Sequence, residues 1–354
     1  ARLTAAYRTV HARMVEHLRG ALPRPETMKP EAYERNIAAR AFDVARYCLC
    51  FGVPTGVGQV VSIRTLERQI RRMRGSEYAE VAELGAEMAQ ACARPPECTL
   101  DTSPATEPIA PTLAKYVLPD SQFLQRRADL AAWAAANLPA AAELCIEDVD
   151  LLQPSDATRE IAATLLYPVT DRPFRELYEI ARSWPTAKCQ DLINLALQSR
   201  KAYDDLPREF RTATYCFDII MDIGAYRDLH RHRRCQQYRQ SYGTALGFET
   251  PAPIVAAGIQ DEYVATMKDV FATANRLPSP GSHYLLPFAA RGRFLFKMDF
   301  AEIEYISRLR SGVKGHFSYR NIAWKMKLRL EECAPELGKL IDATPPWVED
   351  PLLR

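Results

Sequence analysis

A histidine between two arginines, with a serine after seven intervening residues, is the part of the chain best suited to chemistry. These residues are Arg231, His232, Arg233 and Ser241. A guanidinium group binds phosphate oxygens bidentately and stacks on flat rings, so the segment suits a bound phosphate, an anionic ring system or both. The sequence offers Ser241 no evident acid–histidine pair for activation, which favours a hydrogen-bond contact over a nucleophile.

The elements before this segment must position it. Residues 212–221 alternate in the manner of a strand, and residues 224–230 follow as a short predicted helix. On that helix Arg227, His230 and Arg231 share one face, because they are three and four residues apart. A charge run is usually a solvated surface. A run held directly after a buried strand favours a ligand-binding cleft instead.

Arginines elsewhere have two open interpretations. Arg310 lies at the end of a later predicted helix, where a cation either complements the helix dipole or makes a second anion contact. Arg46 and Arg64 are similar cases in the first half. No histidine or cysteine has partners at the spacing of a metal site, so no metal is predicted. Neither glycine-rich nucleotide-binding motif occurs.

The composition limits the class of protein. The chain has 354 residues and a net charge of +2, from 46 basic and 44 acidic residues. That balance argues against a general nucleic-acid binder, although the basic stretches 64–74 and 231–239 leave a nucleic-acid contact as a weaker alternative. Nine scattered cysteines favour a reducing, cytoplasmic location over a disulfide framework. No stretch of sequence predicts a membrane span or a signal peptide.

Apolar periodicity predicts a helix-rich chain with few strands. Strands are expected at residues 147–153 and 212–221, and Asp156 is expected to cap the helix that follows the first strand. Further helices are predicted at residues 4–22, 38–51, 60–73, 77–93, 128–142, 174–184, 188–197, 261–274, 285–309 and 317–332.

Two parts of the chain have similar landmarks, which predicts an internal repeat. Tyr78 precedes Cys92 by the same number of residues as Tyr319 precedes Cys333. Upstream of these pairs, a Leu-Cys-Phe stretch matches a Leu-Pro-Phe stretch, and each leads to a helix that ends in arginines. These stretches are residues 49–51 and 286–288.

The repeat predicts three regions. A first, diverged copy would lack its front part, which would precede Ala1. The regions are residues 1–110 as the back part of the first copy, residues 111–146 as a linker with a helix, and residues 147–354 as a complete second copy.

The basic segment resembles the signature of the flavin-dependent thymidylate synthases, the ThyX family. That signature is Arg-His-Arg, seven residues, then Ser, and it is found here at residues 231–233 and 241. The strand and helix before it, the Leu286-Pro287 pair and the later helix ending at Arg310 are also similar. The resemblance covers about residues 147–335.

The resemblance implies an α+β fold, rich in helices, with a central, mostly antiparallel sheet, here in a partly truncated tandem duplication. It implies FAD as the cofactor and reductive methylation of dUMP, or of a related uracil nucleotide. Methylenetetrahydrofolate would supply the carbon, and NADPH would reduce the flavin. It also implies a homo-oligomer, a dimer of two-copy chains that mimics the tetramer of the family.

The resemblance also assigns roles to individual residues. The catalytic positions are Ser241 and Arg310. Cofactor contacts are assigned to Arg231, His232, Arg233 and Arg64. Substrate contacts are assigned to Arg227, Ser241, Arg310 and Arg46.

Several supporting positions differ from the family pattern. Asp228 stands where a glutamine is expected, and Asp299 and Tyr305 stand where asparagines are expected. The signature serine is followed by Tyr242, Gly243 and Thr244 rather than by the expected x-Arg-Tyr. The alternative hypothesis is therefore a catalytically inactive homologue that acts as a structural or interaction subunit.

Overall fold

The structure is a computed structural model. It describes residues 2–95, 106–108, 116–119, 121–138, 148–152, 156–201, 204–211 and 213–352. The chain forms two compact units. The larger unit contains residues 1–52, 145–277 and 282–354, and the smaller unit contains residues 53–144 and 278–281.

Helices dominate the part of the chain that the structure describes. They are α1 (Arg2–Ala21), α2 (Pro30–Ala45), α3 (Ile63–Arg74), α4 (Ala79–Cys92), α5 (Ser121–Asn137), α6 (Ala157–Leu166), α7 (Phe174–Ser183), α8 (Thr186–Leu197), α9 (Ile223–Leu229), α10 (Ala252–Ala256), α11 (Gln260–Ala274), α12 (Phe300–Ser311), α13 (Phe317–Cys333) and α14 (Pro335–Gly338). Helices α3, α4 and α5 belong to the smaller unit, and the others belong to the larger unit.

A four-stranded sheet lies in the larger unit. Its strands are β1 (Val149–Leu152), β2 (Tyr215–Asp222), β3 (Gln236–Arg239) and β4 (Arg291–Met298), in the order β1-β2-β4-β3. Every pairing in this sheet is antiparallel, and Ile219 lies opposite Val149 on one side and Phe294 on the other. The predicted helix-rich α+β fold with an antiparallel sheet is confirmed.

The core forms because apolar side chains alternate along the central strands. Phe217 of β2 and Phe294 and Phe296 of β4 are fully buried or nearly so. Helix α13 packs Met326 and Leu330 into the same cluster. Burial of a large apolar side chain contributes roughly 1.5–3 kcal/mol, so this layer fixes the sheet that carries the basic segment.

The first 52 residues pack within the larger unit. Met14 of α1 and Val44 of α2 share a hydrophobic cluster with Tyr263 and Met267 of α11 and with Phe288, which precedes β4. The chain between Gly52 and Cys145 belongs to the smaller unit. The three sequence regions proposed from the repeat remain a prediction.

The helix predicted at residues 285–309 was wrong, and the one predicted at residues 38–51 ends earlier, because α2 ends at Ala45. Residues 285–309 do not form a single helix, because β4 occupies residues Arg291–Met298 and α12 begins only at Phe300. Along β4 every second residue is buried, which is the period of a strand. Asp299 ends the strand and caps α12, since its Oδ1 accepts the backbone N–H of Glu302 at 2.9 Å.

Two smaller expectations also need correction. Strand β3 lies inside the seven-residue spacer between the basic segment and Ser241, where no strand was predicted. Asp156 precedes α6 with a positive φ of 59° and makes no capping hydrogen bond. Its carboxylate instead accepts a hydrogen bond from Arg159 Nη1 at 3.0 Å.

The two matched stretches of the predicted repeat lie side by side. Phe288 donates its backbone N–H to the Leu49 carbonyl at 2.7 Å, and Phe51 donates to the Leu286 carbonyl at 3.3 Å. Around this pair, Gly52 donates to Tyr284 at 2.9 Å and Ala289 donates to Tyr47 at 3.3 Å. These four bonds form two pairs. Within each pair, the donor in one bond comes from residues 47–52 and the donor in the other bond comes from the matched position in residues 284–289.

Candidate functional site

The basic segment is positioned by the end of β2. Asp222 ends this strand, and its Oδ1 accepts the backbone N–H of Ala225 at 2.7 Å, which caps α9. Helix α9 carries Arg227, and the turn after it carries residues 230–235. The side chain of Gln237 on β3 donates to the carbonyls of Leu229 and His232, both at 3.2 Å. The turn is therefore held from both sides.

Two cavities share Arg231 as a wall residue. Cavity 1 has a volume of about 430 Å³ and cavity 2 of about 650 Å³. The charged residues and the histidine that line cavity 1 include Arg231, His232, Arg233, Glu302, Glu304 and Arg310. The residues that line cavity 2 include Arg46, Arg227, Asp228, Arg231, Arg239 and Tyr242.

His232 is a buried wall residue of cavity 1, with only 5% of its surface exposed. Its Nε2 accepts a hydrogen bond from Arg310 Nε at 2.8 Å, and its Nδ1 lies 3.6 Å from Glu302 Oε1. A ring nitrogen that accepts carries no proton, so a neutral imidazole has its proton on Nδ1, facing Glu302. Glu302 also lies 3.3 Å from Arg234 Nη1.

Glu304 is the second buried acid in the wall of cavity 1. Its Oε1 accepts from Arg200 Nη2 at 2.7 Å and from Arg308 Nε at 2.9 Å. Its Oε2 is buried and has no hydrogen-bond partner within the described ranges. A buried acceptor without a partner costs about 1–3 kcal/mol. Glu304, a wall residue of cavity 1, therefore keeps one acceptor oxygen that no described residue uses.

Cavity 2 holds a carboxylate between two guanidinium groups. Asp228 Oδ2 accepts from Arg46 Nη2 at 3.2 Å, and Asp228 Oδ1 accepts from Arg231 Nη2 at 3.1 Å. Arg46 Nε is buried and lacks a partner in the part of the chain that the structure describes. Asp228 of α9 thus joins Arg46, which follows α2, and Arg231 in one ion-pair network.

Aromatic rings hold two more arginines of cavity 2. The guanidinium carbon of Arg227 lies 4.4 Å from the ring centre of Phe288, and that of Arg239 lies 4.4 Å from the ring centre of Tyr242. Burial, followed by the nearby positive charge of Arg46, lowers the pKa of Arg227. Guanidinium groups that lie on rings keep their N–H edges available for an anion.

A buried hydrogen-bond network links the walls of cavity 2. Asp222 is completely buried and accepts from the hydroxyls of Tyr47, at 3.0 Å, and Ser318. Burial raises the pKa of Asp222 to about 6, although its three hydrogen-bond donors oppose the rise. Because Tyr47 follows Arg46 and Asp222 caps α9, this carboxyl group joins the segments that carry Arg46 and Arg227.

The structure brings most of the predicted site residues together. Arg231, His232, Arg233 and Arg310 line cavity 1, and Arg231 also lines cavity 2. Arg46 and Arg227 line cavity 2, although 182 residues separate Arg46 from its partner Asp228. The roles assigned to these residues remain predictions.

Two predicted site residues lie elsewhere. Ser241 is exposed and lines neither cavity, whereas Tyr242 beside it lines cavity 2. Arg64 is exposed on α3, in the smaller unit. Sequence reasoning missed Asp222, Glu302 and Glu304. Only Asp222 had a usable signal, since an aspartate between a strand and a helix is a typical N-cap.

Neither a metal site nor a membrane-spanning helix occurs among the described residues. No group of three or more histidine, cysteine, aspartate or glutamate side chains is arranged to hold a metal ion. No helix among them is long and apolar enough to cross a membrane.

Comparisons with curated proteins give related sequences. A UPF0159 protein of Chlamydia pneumoniae is 24% identical over 309 residues, which are 85% of this chain and 56% of that protein. UPF0159 proteins of Chlamydia muridarum and Thermoplasma acidophilum are 31% and 33% identical, over 48% and 38% of this chain and 33% and 28% of their own lengths. The matches thus span about half the length of the Chlamydia pneumoniae protein and about a third of the other two.

A solved structure and a family model complete the comparison. The crystal structure of a UMP/dUMP methylase, PolB, from Streptomyces cacaoi, bound with 5-Br dUMP, is 14% identical, with a TM-score of 0.43, and the match covers 54% of this chain and 92% of that one. The family model described as thymidylate synthase complementing protein, Thy1, matches residues 149–336, which is more than half of the chain. The chain therefore belongs to the thymidylate synthase complementing protein family, the ThyX family.

Proposed function

We propose that the chain is a flavin-dependent enzyme that methylates a uracil nucleotide, with dUMP as the expected substrate. The observation that carries this proposal is the pair of cavities that share Arg231. One shared wall would keep two flat ligands next to each other, which a transfer between a cofactor and a nucleotide requires. Membership of the ThyX family supports the same reaction class.

Cavity 2 fits the phosphate-bearing substrate. Arg46 brings a buried N–H without a partner, and Arg227 and Arg239 lie on aromatic rings with their edges free for phosphate oxygens. Arg231 would contact both ligands. The predicted contact of Ser241 would require the nucleotide to extend past Tyr242, since Ser241 itself is exposed.

Cavity 1 fits the flavin ring. His232 and Arg233 would hold it, and Arg310 would act by fixing the imidazole of His232 through the hydrogen bond of 2.8 Å. The orphaned Oε2 of Glu304 provides an acceptor for the ring. When bound, FAD supplies the hydride chemistry, with NADPH as its reductant and methylenetetrahydrofolate as the carbon donor. The predicted cofactor contact of Arg64 remains part of this proposal.

We also propose that the chain is a tandem duplication. The reciprocal hydrogen bonds between residues 47–52 and 284–289 support it, because exchange of matched positions is the pattern of a two-fold contact. In this proposal Arg46 comes from the first copy and Arg231 from the second. A dimer of such chains would then correspond to the tetramer that the family resemblance implies.

A second candidate is a catalytically inactive homologue. The carboxylate of Asp228 lies between Arg46 and Arg231, where the proposed substrate phosphate would bind. If this internal ion pair persists, it keeps the phosphate away from Arg46 and Arg231, which are two of the four arginines that line cavity 2. The chain would then serve as a structural or interaction subunit.

The test combines flavin binding with turnover. The purified chain is incubated with FAD, desalted and examined for a flavin absorbance spectrum. It is then reduced with NADPH under anaerobic conditions and mixed with dUMP and methylenetetrahydrofolate, and dTMP is measured by mass spectrometry. We expect bound flavin and dUMP-dependent formation of dTMP. Failure to bind FAD would contradict the proposal, and bound FAD without dUMP-dependent turnover would favour the inactive homologue.

A further inference from the structure

The carboxylate of Glu304 is fixed in the wall of cavity 1 with one oxygen committed. Arg200 and Arg308 both donate to Oε1, and the residue is only 1% exposed. Two guanidinium groups on one oxygen restrict rotation of the carboxylate. The position of Oε2 is therefore set before any ligand binds, and this oxygen has no partner in the described parts of the chain.

The surroundings of Oε2 specify what it would accept. Arg231, Arg233 and Arg310 line the same cavity and can only donate hydrogen bonds to a ligand. A matching ligand edge therefore needs carbonyl oxygens for the guanidinium groups and an N–H for the carboxylate. An imide, in which a ring N–H lies between two carbonyls, has this pattern. Uracil and the isoalloxazine ring of flavin both contain one.

The other buried acid of the cavity does not have this property. Glu302 already faces His232 Nδ1 through Oε1, at 3.6 Å, and Arg234 through Oε2, at 3.3 Å. Both of its oxygens are engaged. Glu304 is thus the acid of cavity 1 that combines a fixed position with an unused acceptor.

We propose that Glu304 recognises the imide N–H of the ring that binds in cavity 1 and so determines which rings the cavity accepts. This inference rests on the proposed function, because that function supplies the two candidate rings. It adds a specificity-determining residue that neither the basic segment nor the resemblance pointed to. The assignment of flavin to cavity 1 predicts that the flavin imide is the one recognised.

The test replaces the imide hydrogen with a methyl group. The full chain is titrated with FAD and 3-methyl-FAD, followed by flavin fluorescence, and with dUMP and 3-methyl-dUMP, followed by calorimetry. For the ring in cavity 1, we expect the N–H form to bind at least about tenfold more tightly than the methyl form, equivalent to about 1.4 kcal/mol. The arm that shows the difference identifies flavin or uracil as the source of the imide.

Variants of Glu304 separate recognition from steric exclusion. Glu304→Met has a similar length but no acceptor, so the ratio of affinities should fall toward one. Glu304→Gln keeps a carbonyl and should retain part of the ratio. The matched control, Arg308→Lys, keeps a cationic donor for Oε1 and removes no atom of Glu304, so its ratio should stay near that of the unsubstituted chain.

Each result decides the inference. If both rings bind and each binds equally well in its N–H and methyl forms, Oε2 contacts only water, and the inference is overturned. A ratio that survives Glu304→Met also overturns it, because the methyl group is then rejected by shape. If Glu304→Met does not fold, as judged by circular dichroism, Glu304→Asp withdraws the oxygen and must lower the ratio. If neither FAD nor dUMP binds, the proposed function itself fails and the inference falls with it.

Discussion

Cavity 1 and cavity 2 use the same basic segment in different ways. In cavity 1, buried acids on α12 pair with guanidinium groups and with His232, so part of the positive charge is neutralised within the protein. In cavity 2, Arg227 and Arg239 lie on aromatic rings, and a single carboxylate, Asp228, serves Arg46 and Arg231. A cavity whose arginines are partly neutralised by buried acids suits a ring without a full charge, and a cavity with a single carboxylate among its arginines suits a phosphate.

The cavities also differ in how they are assembled. The residues that line cavity 1 all lie between Asp205 and Arg310, whereas cavity 2 includes Phe42, Arg46 and Leu49 from the first part of the chain. The Tyr47–Asp222 hydrogen bond joins these two parts. Cavity 2 should therefore depend on interactions that cavity 1 does not need.

The largest expected effect comes from Asp222. Burial raises its pKa from the ordinary value of 3.8 to about 6, so the folded chain retains a proton that the unfolded chain has already lost. The free energy of unfolding should therefore fall as pH rises between about 4 and 6, by about 3 kcal/mol in total. Asp222→Asn has no titrating group and should lose this part of the pH dependence.

Urea unfolding at about pH 4 and about pH 7 measures this difference for both chains. Asn keeps an acceptor for the Ala225 N–H, so α9 should remain capped in the variant. An identical pH dependence in Asp222→Asn and the unsubstituted chain would rule out Asp222 as its source.

The next largest effect tests whether Arg231 contacts both proposed ligands. Arg231→Ala removes a charge-assisted contact worth about 1.5–3 kcal/mol from each proposed ligand, so FAD and dUMP should both bind at least about tenfold more weakly. Arg233→Ala should weaken FAD alone, because Arg233 lines only cavity 1, and Arg239→Ala should weaken dUMP alone. Fluorescence and calorimetric titrations provide the two affinities. Loss of only one ligand in Arg231→Ala would separate the cavities.

The smallest effect concerns the internal counter-charge of cavity 2. Asp228→Asn removes the carboxylate between Arg46 and Arg231, so inorganic phosphate should bind about three- to tenfold more tightly, a gain on the order of 1 kcal/mol. Asp218→Asn is the matched control, since Asp218 pairs with Arg293 and lines neither cavity. Calorimetry with phosphate compares the two variants. Equal or weaker binding in Asp228→Asn would show that the carboxylate organises the arginines rather than competing with the ligand.

Local patterning predicted much of the frame around these cavities. Helix α1, strand β2 and helix α9 agree with the sequence because each has its own period or boundary residue. Strand β4 was predicted as part of a helix, because apolar residues before and after it continue the hydrophobic pattern into α12. The alternation within β4 was therefore assigned to that longer apolar stretch, although β4 is as long as β2.

The site was predicted less completely, for a physical reason. The placement of Arg231, His232 and Arg233 follows from a contiguous motif. The pairing of Glu304 with Arg200 joins residues 104 positions apart, and no local pattern encodes it. The sequence left Arg46 open between a helix-end cation and an anion contact, and its contact with Asp228 is a product of the tertiary fold.

The reciprocal pairing of residues 47–52 with residues 284–289 has a consequence for how the site can vary. In an assembly of identical chains, one substitution alters both partners of such a contact. Here both stretches belong to one polypeptide, so Arg46 and its matched position, His283, are already different residues. One side of the contact can change while the other is preserved, and dilution cannot separate the two, because their effective concentration is fixed by the chain.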